Sequence, residues 1–230
     1  MAAKGYKAFA HGMTCLGKQY SENTIFEESG ASACCEAGVM HYCENPLDVL
    51  NHYPLIDDNG HVVEIAEVEP LAEVLRKEDK CATKKLRIGA KIRIGNFVEI
   101  AGEYLRETIK GKEKDAAVGG NFAKQVGGSF AQQIGGNYAQ QVSGDDAKQV
   151  SGDDAKQVGG SFAKQKTGKN SVIMAGPGSR FKAGLYSVIL YYWYGDDGNI
   201  AGFKAAQVDN KKLKADTWYE LKDGKFVEVE

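Results

Sequence analysis

The most regular order of apolar and polar positions lies between Val118 and Gln165. There an eight-residue phrase runs six times without insertion: VGGNFAKQ, VGGSFAQQ, IGGNYAQQ, VSGDDAKQ, VSGDDAKQ and VGGSFAKQ. Self-similarity at a fixed short period marks a solenoid, in which each repeat buries a core only against its neighbours. Gly120, Gly128, Gly136, Gly144, Gly152 and Gly160 recur at one place, which predicts one corner per octad with glycine supplying its positive φ. Two ladders are expected to point inward, one of Ala123, Ala131, Ala139, Ala147, Ala155 and Ala163, the other of Val118, Val126, Ile134, Val142, Val150 and Val158.

Eight residues at ~3.3 Å span only ~26 Å, too little to enclose two sheets ~10 Å apart once the corners are made. Two octads per coil are therefore expected. Phe122, Tyr138 and Asp154 then stack on one side and Phe130, Asp146 and Phe162 on the other. An eight-residue coil would instead stack Asp146 on Asp154, a like-charge pair that destabilises a sheet. This reading gives about three regular coils and a degenerate one at 166–181, where Gly168, Gly176, Ser171 and Ser179 keep the spacing.

Elsewhere the periods are shorter. Tyr6–Phe9 reads as a strand, and Asn45-Pro46 opens a short helix, LDVLNHY, with Asn as cap. A strand at His61–Val68 follows the turn Asp57–Gly60, and Glu69-Pro70 starts an amphipathic helix through Arg76. Leu86, Ile88, Ala90, Ile92 and Ile94 alternate with Lys85, Arg87, Lys91 and Arg93, a half-buried strand with a basic face. Phe97, Ile100, Ala101, Tyr104, Leu105 and Ile109 share one stripe of a helix at Asn96–Ile109, with Asn96 and Glu99 spaced as a capping box. Lying just before the octads, this helix is expected to cap the open solenoid end. Leu185–Tyr194, Ile200–Val208 and a hairpin of Trp218–Leu221 with Lys225–Val229 predict an antiparallel unit at the other end. The fold class is thus α+β: an N-terminal α/β domain (1–95), a capping helix and linker (96–113), an octad β-solenoid (114–182) and a C-terminal β cap (183–230).

Composition narrows the function little. The 230 residues carry a formal net charge of −2, which argues against a generic nucleic-acid binder and against an acidic DNA mimic. No apolar run is long enough to span a membrane and the start lacks a signal-peptide core, so a cytoplasmic protein is expected. All five cysteines, Cys15, Cys34, Cys35, Cys43 and Cys81, fall in the first third of the chain, and an odd number fits reduced thiols.

Two resemblances follow from these residues. The octad array is similar to the β-solenoids of bacterial ice-nucleation proteins, but it lacks their Thr-rich outer ladder, so ice binding does not carry over. More broadly, YKAF, MTCLGKQY, HYCENPLDVLNHYP, the octads and DTWYELKDGKFVEV together resemble a family of phage and prophage proteins with no assigned function. That resemblance covers nearly the whole chain. It implies a mobile-element origin, with a place in the host cytoplasm or on a virion, and no particular activity.

Candidate chemistry is sparse. Cys34, Cys35, His41 and Cys43, with Cys15 and Cys81, suggest zinc, but their spacing forms no CxxC pair, so free thiols with neither metal nor cofactor are expected. The segment Gly38–Tyr42, the helix LDVLNHY and the strand HVVEIAEVE resemble the core of ADP-ribosyltransferase folds. There Tyr53 would be the aromatic that helps to hold NAD, though it equally reads as a core residue, and neither the catalytic Glu nor the first-strand Arg or His is placed. Lys85, Arg87, Lys91 and Arg93 read as a solvated or Glu-paired face rather than a phosphate site. Asp145, Asp146, Asp153 and Asp154 read as solvated rather than calcium-binding. Phe122, Phe130, Tyr138 and Phe162 are expected to project outward as a self-association stripe, because an inward setting would bury Asp146 and Asp154 unpaired. A non-enzymatic interaction or structural protein, homo-oligomeric and with a host or phage protein as partner, is the reading that results. An ADP-ribosyltransferase-like enzyme and an inhibitor of host defence are the alternatives.

Overall fold

Alternating apolar positions in the first third of the chain form antiparallel sheets. The computed structural model describes residues 4–29, 38–57, 59–110 and 116–230, and divides into two units, Met1–Arg93 and Ile94–Glu230. The first holds β1 (Gly5–Phe9), β2 (Thr14–Cys15), β3 (Lys18–Gln19), β4 (Thr24–Glu27), β5 (Met40–Tyr42), β6 (Glu64–Pro70), β7 (Val74–Lys77), β8 (Lys80–Thr83) and β9 (Lys85–Lys91). They pair as a four-stranded sheet in the order β1-β6-β9-β4, a three-stranded sheet β5-β8-β7 and the hairpin β2-β3, all antiparallel. Phe9, Tyr20, Met40, Tyr42, Val68, Leu86 and Ile88 form the core. The basic face of β9 is paired with acids, Arg87 with Glu69 at 2.9 Å and Lys85 with Glu27 at 2.8 Å.

Two expectations for this unit are corrected. Residues expected as a helix through Arg76 instead end β6 and form β7, because pairing with β8 places Val74 and Leu75 opposite Thr83 and Ala82. Such tertiary pairing outweighs a local helical stripe. The helix from Asn45 is a single 3-10 element, Pro46–Asn51, whose Asn45 side chain accepts from Leu47 N as a cap. Among its described residues, the domain expected to be α/β is therefore a β unit with one 3-10 helix.

The second unit opens with α1 (Ile94–Thr108) and continues through β10 (Ala116–Val118), β11 (Lys124–Val126), β12 (Gln132–Ile134), β13 (Gln140–Val142), β14 (Lys148–Val150), β15 (Lys156–Gly159), β16 (Lys164–Lys166), β17 (Val172–Ala175), β18 (Arg180–Lys182), β19 (Val188–Tyr194), β20 (Ile200–Gln207), β21 (Trp218–Lys222) and β22 (Lys225–Glu228). β10, β12, β14, β16 and β18 are parallel in one sheet; β11, β13, β15, β17 and β19 are parallel in the other. Partners such as Lys124 and Gln140 are sixteen residues apart, as the octad arithmetic requires. Gln140 N donates to Ala123 O and Lys148 N to Ala131 O, both at 2.8 Å, so each alanine ladder climbs by whole coils. Coils continue beyond the expected end near 181. Ser171, Ser179 and Ser187 take over the alanine sites, their Oγ atoms accepting from Ala155 N, Ala163 N and Ser171 N at 3.0–3.1 Å. The result is a β-solenoid of about five coils. Both sheets then turn antiparallel, β20 pairing with β19 and β21 with β18 and β22.

Three details differ from the sequence reading. Positive φ falls not on the repeated glycines but two residues later, at Phe122, Phe130, Tyr138, Asp146, Asp154 and Phe162, with values of 55° to 63°. From Gly136 onward the glycines are needed for close stacking instead: a β-carbon on Gly144 would lie 2.8 Å from Ser129 N and 3.0 Å from Gly128 C in the coil below, whereas one on Gly120 or Gly128 would meet nothing within 4 Å. Secondly, the valine ladder faces outward, with Val118 at 83% and Ile134 at 50% exposure. Alternation along each strand puts the buried Gln125, Gln133, Gln141, Gln149, Gln157 and Gln165 inside with the alanines.

Lastly, α1 does not sit over the solenoid end. It lies against β11, β13 and β20, that is, along the outer face of one sheet. Its fifteen residues are about 22 Å long, close to the ~24 Å spanned by the six strands of that sheet. This explains why Val126, Val142 and Val158 are buried while their counterparts on the other sheet are not. Asn96 lies inside the helix, two residues past its start, and so is not the expected cap.

Candidate functional site

β1 carries a charged residue where its neighbours are core. Gly5, Lys7 and Phe9 share one side of the strand, and Lys7 is only 4% exposed. Its Nζ donates to His41 O at 2.9 Å and to Cys15 Sγ at 3.4 Å, and lies over the rings of Phe9 and Tyr20 at 5.5 and 5.3 Å. Among the described residues no carboxylate pairs with it. Burial pushes its pKa below the usual lysine value, and the neighbouring Cys15 opposes that shift.

Cys15 reaches this lysine from the end of β2. Leu16 and Gly17, both at positive φ (50° and 78°), turn the chain into β3 as a two-residue hairpin requires. Tyr53, just beyond the 3-10 helix, donates its hydroxyl to the same sulfur at 2.9 Å. The β1–β5 junction is closed by Tyr6 N to Cys43 O at 2.7 Å and Cys43 N to Tyr6 O at 2.8 Å. These elements line an open cavity of about 320 Å³, to which Lys7, Cys15, His41, His52, Tyr53 and Lys80 contribute. The volume suits a small molecule. Burial, and then the charges of Lys7, Lys80 and His52, hold the His41 pKa below the usual value, and burial drives the Cys43 thiol up to about 12.

The expected cysteine cluster is only partly in view. Cys34 and Cys35 lie outside the described residues, and among the described residues Cys15, Cys43 and Cys81 form no disulfide and no group of His, Cys, Asp and Glu is placed to hold a metal. Tyr53 lies on the cavity. Sequence reasoning missed the joining of Lys7, Cys15 and Tyr53; the available signal was a lysine on the inward side of a short apolar strand.

On the solenoid, Phe122, Phe130, Tyr138 and Phe162 point outward, at 71%, 73%, 49% and 65% exposure. They do not form one stripe. Phe122 and Tyr138 stack at 4.9 Å on one edge, while Phe130 and Phe162 lie on the other with Asp146 between them in the coil order. Asp145 and Asp153 serve the backbone, accepting from Ser161 N and Lys169 N at 2.7 Å. That role as rungs replaces the solvated one expected of them.

With both sites in place, the chain combines a β unit holding a cavity with a β-solenoid. Residues 3–100 match a domain of unknown function, DUF7666, to which the chain is similar over that segment; it contains every residue lining the cavity and ends before the octads. No curated protein and no solved structure matches the chain. Among the described residues no helix is long and apolar enough to cross a membrane.

Proposed function

We propose that the protein is a non-enzymatic interaction protein whose solenoid is a rigid spacer, associating with further copies of itself through its aromatic edges. The observation that supports this is the residue type at the left-handed corners. Such a φ costs a non-glycine residue roughly 1 kcal/mol and favours Gly, Asn or Asp, which do occupy the equivalent corners at Asp146, Asp154, Asn170 and Gly178. Phe122, Phe130, Tyr138 and Phe162 bear that cost and give nothing to the lumen, so contact outside the coil is what their exposed rings can contribute. A near-neutral chain raises little charge repulsion between copies. The setting in a phage or prophage rests on the sequence resemblance alone.

Asn suits the same φ, so the variants Phe122→Asn/Tyr138→Asn and Phe130→Asn/Phe162→Asn keep the corner. Light scattering coupled to size exclusion is expected to show an oligomer for the parent chain and a monomer with an unchanged circular dichroism spectrum for at least one variant. A monomeric parent, or an oligomer that survives both variants, would refute the proposal.

A further inference from the structure

Nothing in the solenoid reading uses the cavity of the first unit, yet its chemistry is specific. Lys7 is a buried amine, cationic once it takes up a proton, whose partners are a sulfur, a backbone carbonyl and two ring faces. An ammonium has three donors, and two are used on protein atoms, leaving one for a ligand. Among the described residues the titratable lining groups add His41, His52, Lys80, Tyr6, Tyr42, Tyr53, Cys15 and Cys43, and no Asp or Glu. His52 Nε2 meets Asp79 at 3.3 Å, and that carboxylate is not among the lining residues. A concave site with basic groups and no acid in its lining favours an anion.

The thiol gives that site a reactive atom. Cys15 Sγ accepts from both Lys7 Nζ and Tyr53 OH, two contacts that fix the sulfur on the cavity lining with an amine beside it. Lys7 is also placed to receive the proton, since burial favours its neutral amine and the sulfur is 3.4 Å away. The other described thiols differ: Cys43 and Cys81 are buried, and Cys43 is driven up to about 12.

We propose that this cavity binds small anionic molecules bearing an electrophilic carbon, and that Cys15 Sγ is the nucleophile that attacks them. In the step, the thiol proton passes to the Lys7 amine and the sulfur lone pair forms an S–C bond. The bond from that carbon to its leaving group breaks, and the leaving group departs with the electron pair. No oxidant or reductant is needed. Lys7, as the ammonium, then faces the anionic group of the bound molecule, while Tyr53 orients the sulfur.

Iodoacetate and iodoacetamide test this on the full chain, since they share one leaving group and differ only in charge. Native protein is treated with each, and alkylation at every cysteine is followed by peptide mass spectrometry against glutathione at the same pH. Cys15 is expected to react with iodoacetate at least roughly tenfold faster than glutathione does, with Cys43 and Cys81 protected. The iodoacetate-to-iodoacetamide rate ratio is also expected to exceed that of glutathione. Lys7→Met, which keeps the length and apolar stem, should lower the iodoacetate rate by roughly tenfold and bring the ratio down to that of glutathione. Tyr53→Phe should lower both rates together, leaving the ratio in place. A Cys15 no faster than glutathione in the native chain, or a ratio unchanged in a Lys7→Met variant of native circular dichroism, would overturn the proposal. The parent measurement decides the matter even if a variant does not fold.

Discussion

Glutamine can fill the lumen of this solenoid because its amide is satisfied from coil to coil. Gln141 Nε2 donates to Gln125 Oε1 at 2.7 Å and to Val150 O at 3.2 Å, while Gln141 Oε1 accepts from Gln157 at 2.8 Å. The other column runs from Gln165 through Gln149 to Gln133 at 2.9 and 3.0 Å. A completed buried network of this kind is specific, and a broken one is costly, since each orphaned polar group loses about 1–3 kcal/mol. Gln141→Ala should therefore destabilise the chain by roughly 2–4 kcal/mol in urea unfolding followed by circular dichroism. At the top of the columns the account differs. Among the described residues Gln157 Oε1 and Gln165 Oε1 have no hydrogen-bond partner, because Ile173 and Phe181 occupy the next coil. Gln157→Ile would move one orphan acceptor down to Gln141 and place an apolar side chain on Ile173. Its cost is expected to be well below that of Gln141→Ala, and equal losses would show that the column is not the stabilising unit.

At the scale of elements, α1 determines which side of the coil counts as core. Phe97, Ala101 and Leu105 are fully buried, Glu103 is exposed, and the helix shields the Val126, Val142 and Val158 ladder. Leu105→Ala should cost about 2–4 kcal/mol through the cavity it leaves, whereas Glu103→Ala should stay within about 0.5 kcal/mol. Chemical denaturation of the two variants side by side checks both. The same element shows what the sequence revealed and what it hid. Eight-residue periodicity and strand spacing together gave the sixteen-residue coil, and the apolar stripe gave the helix. Neither told where the helix would lie, because the sheet it covers is built from residues up to more than a hundred positions later. Valine was read as lumen and glutamine ignored for a related reason: the partner of each glutamine is another glutamine sixteen residues away, which hydropathy does not register. In the first unit, β7 carries a helical stripe overridden by its pairing with β8. The cavity was hidden because Lys7, Cys15 and Tyr53 belong to three elements joined only by the fold.

For the whole molecule, the two units carry separate cores and titrate differently. In the first, burial and nearby positive charge depress the His41 pKa below its ordinary 6.5, so the unfolded chain takes up the proton first. Stability from that group is complete above 6.5 and is lost as pH falls through the depressed folded value. Cys43 acts at the other extreme: its folded pKa is raised from 9.0 to about 12, so its contribution is present below 9.0 and is lost as pH rises through that range. The solenoid lumen is held by amides that do not titrate. The acid-sensitive groups of the second unit lie in its last strands and the turns before them, where Lys222 and then Arg180 depress Glu220, Lys214 depresses Glu228, and hydrogen bonds from Asn199 and from the Lys212 backbone depress Asp197 and Asp209. Those contributions are present above the ordinary 4.5 and fade only as pH falls below it. Acidification should therefore weaken the first unit before the second. Both tryptophans, Trp193 and Trp218, lie in the second unit, so their fluorescence reports on that unit alone. Between pH 7 and pH 5, roughly, calorimetry should show a transition moving to lower temperature while the tryptophan-detected melt stays in place. Only below the ordinary carboxylate value of 4.5 should the tryptophan melt begin to fall. A tryptophan melt that moved first, or a single transition at every pH, would show that the two units do not unfold independently.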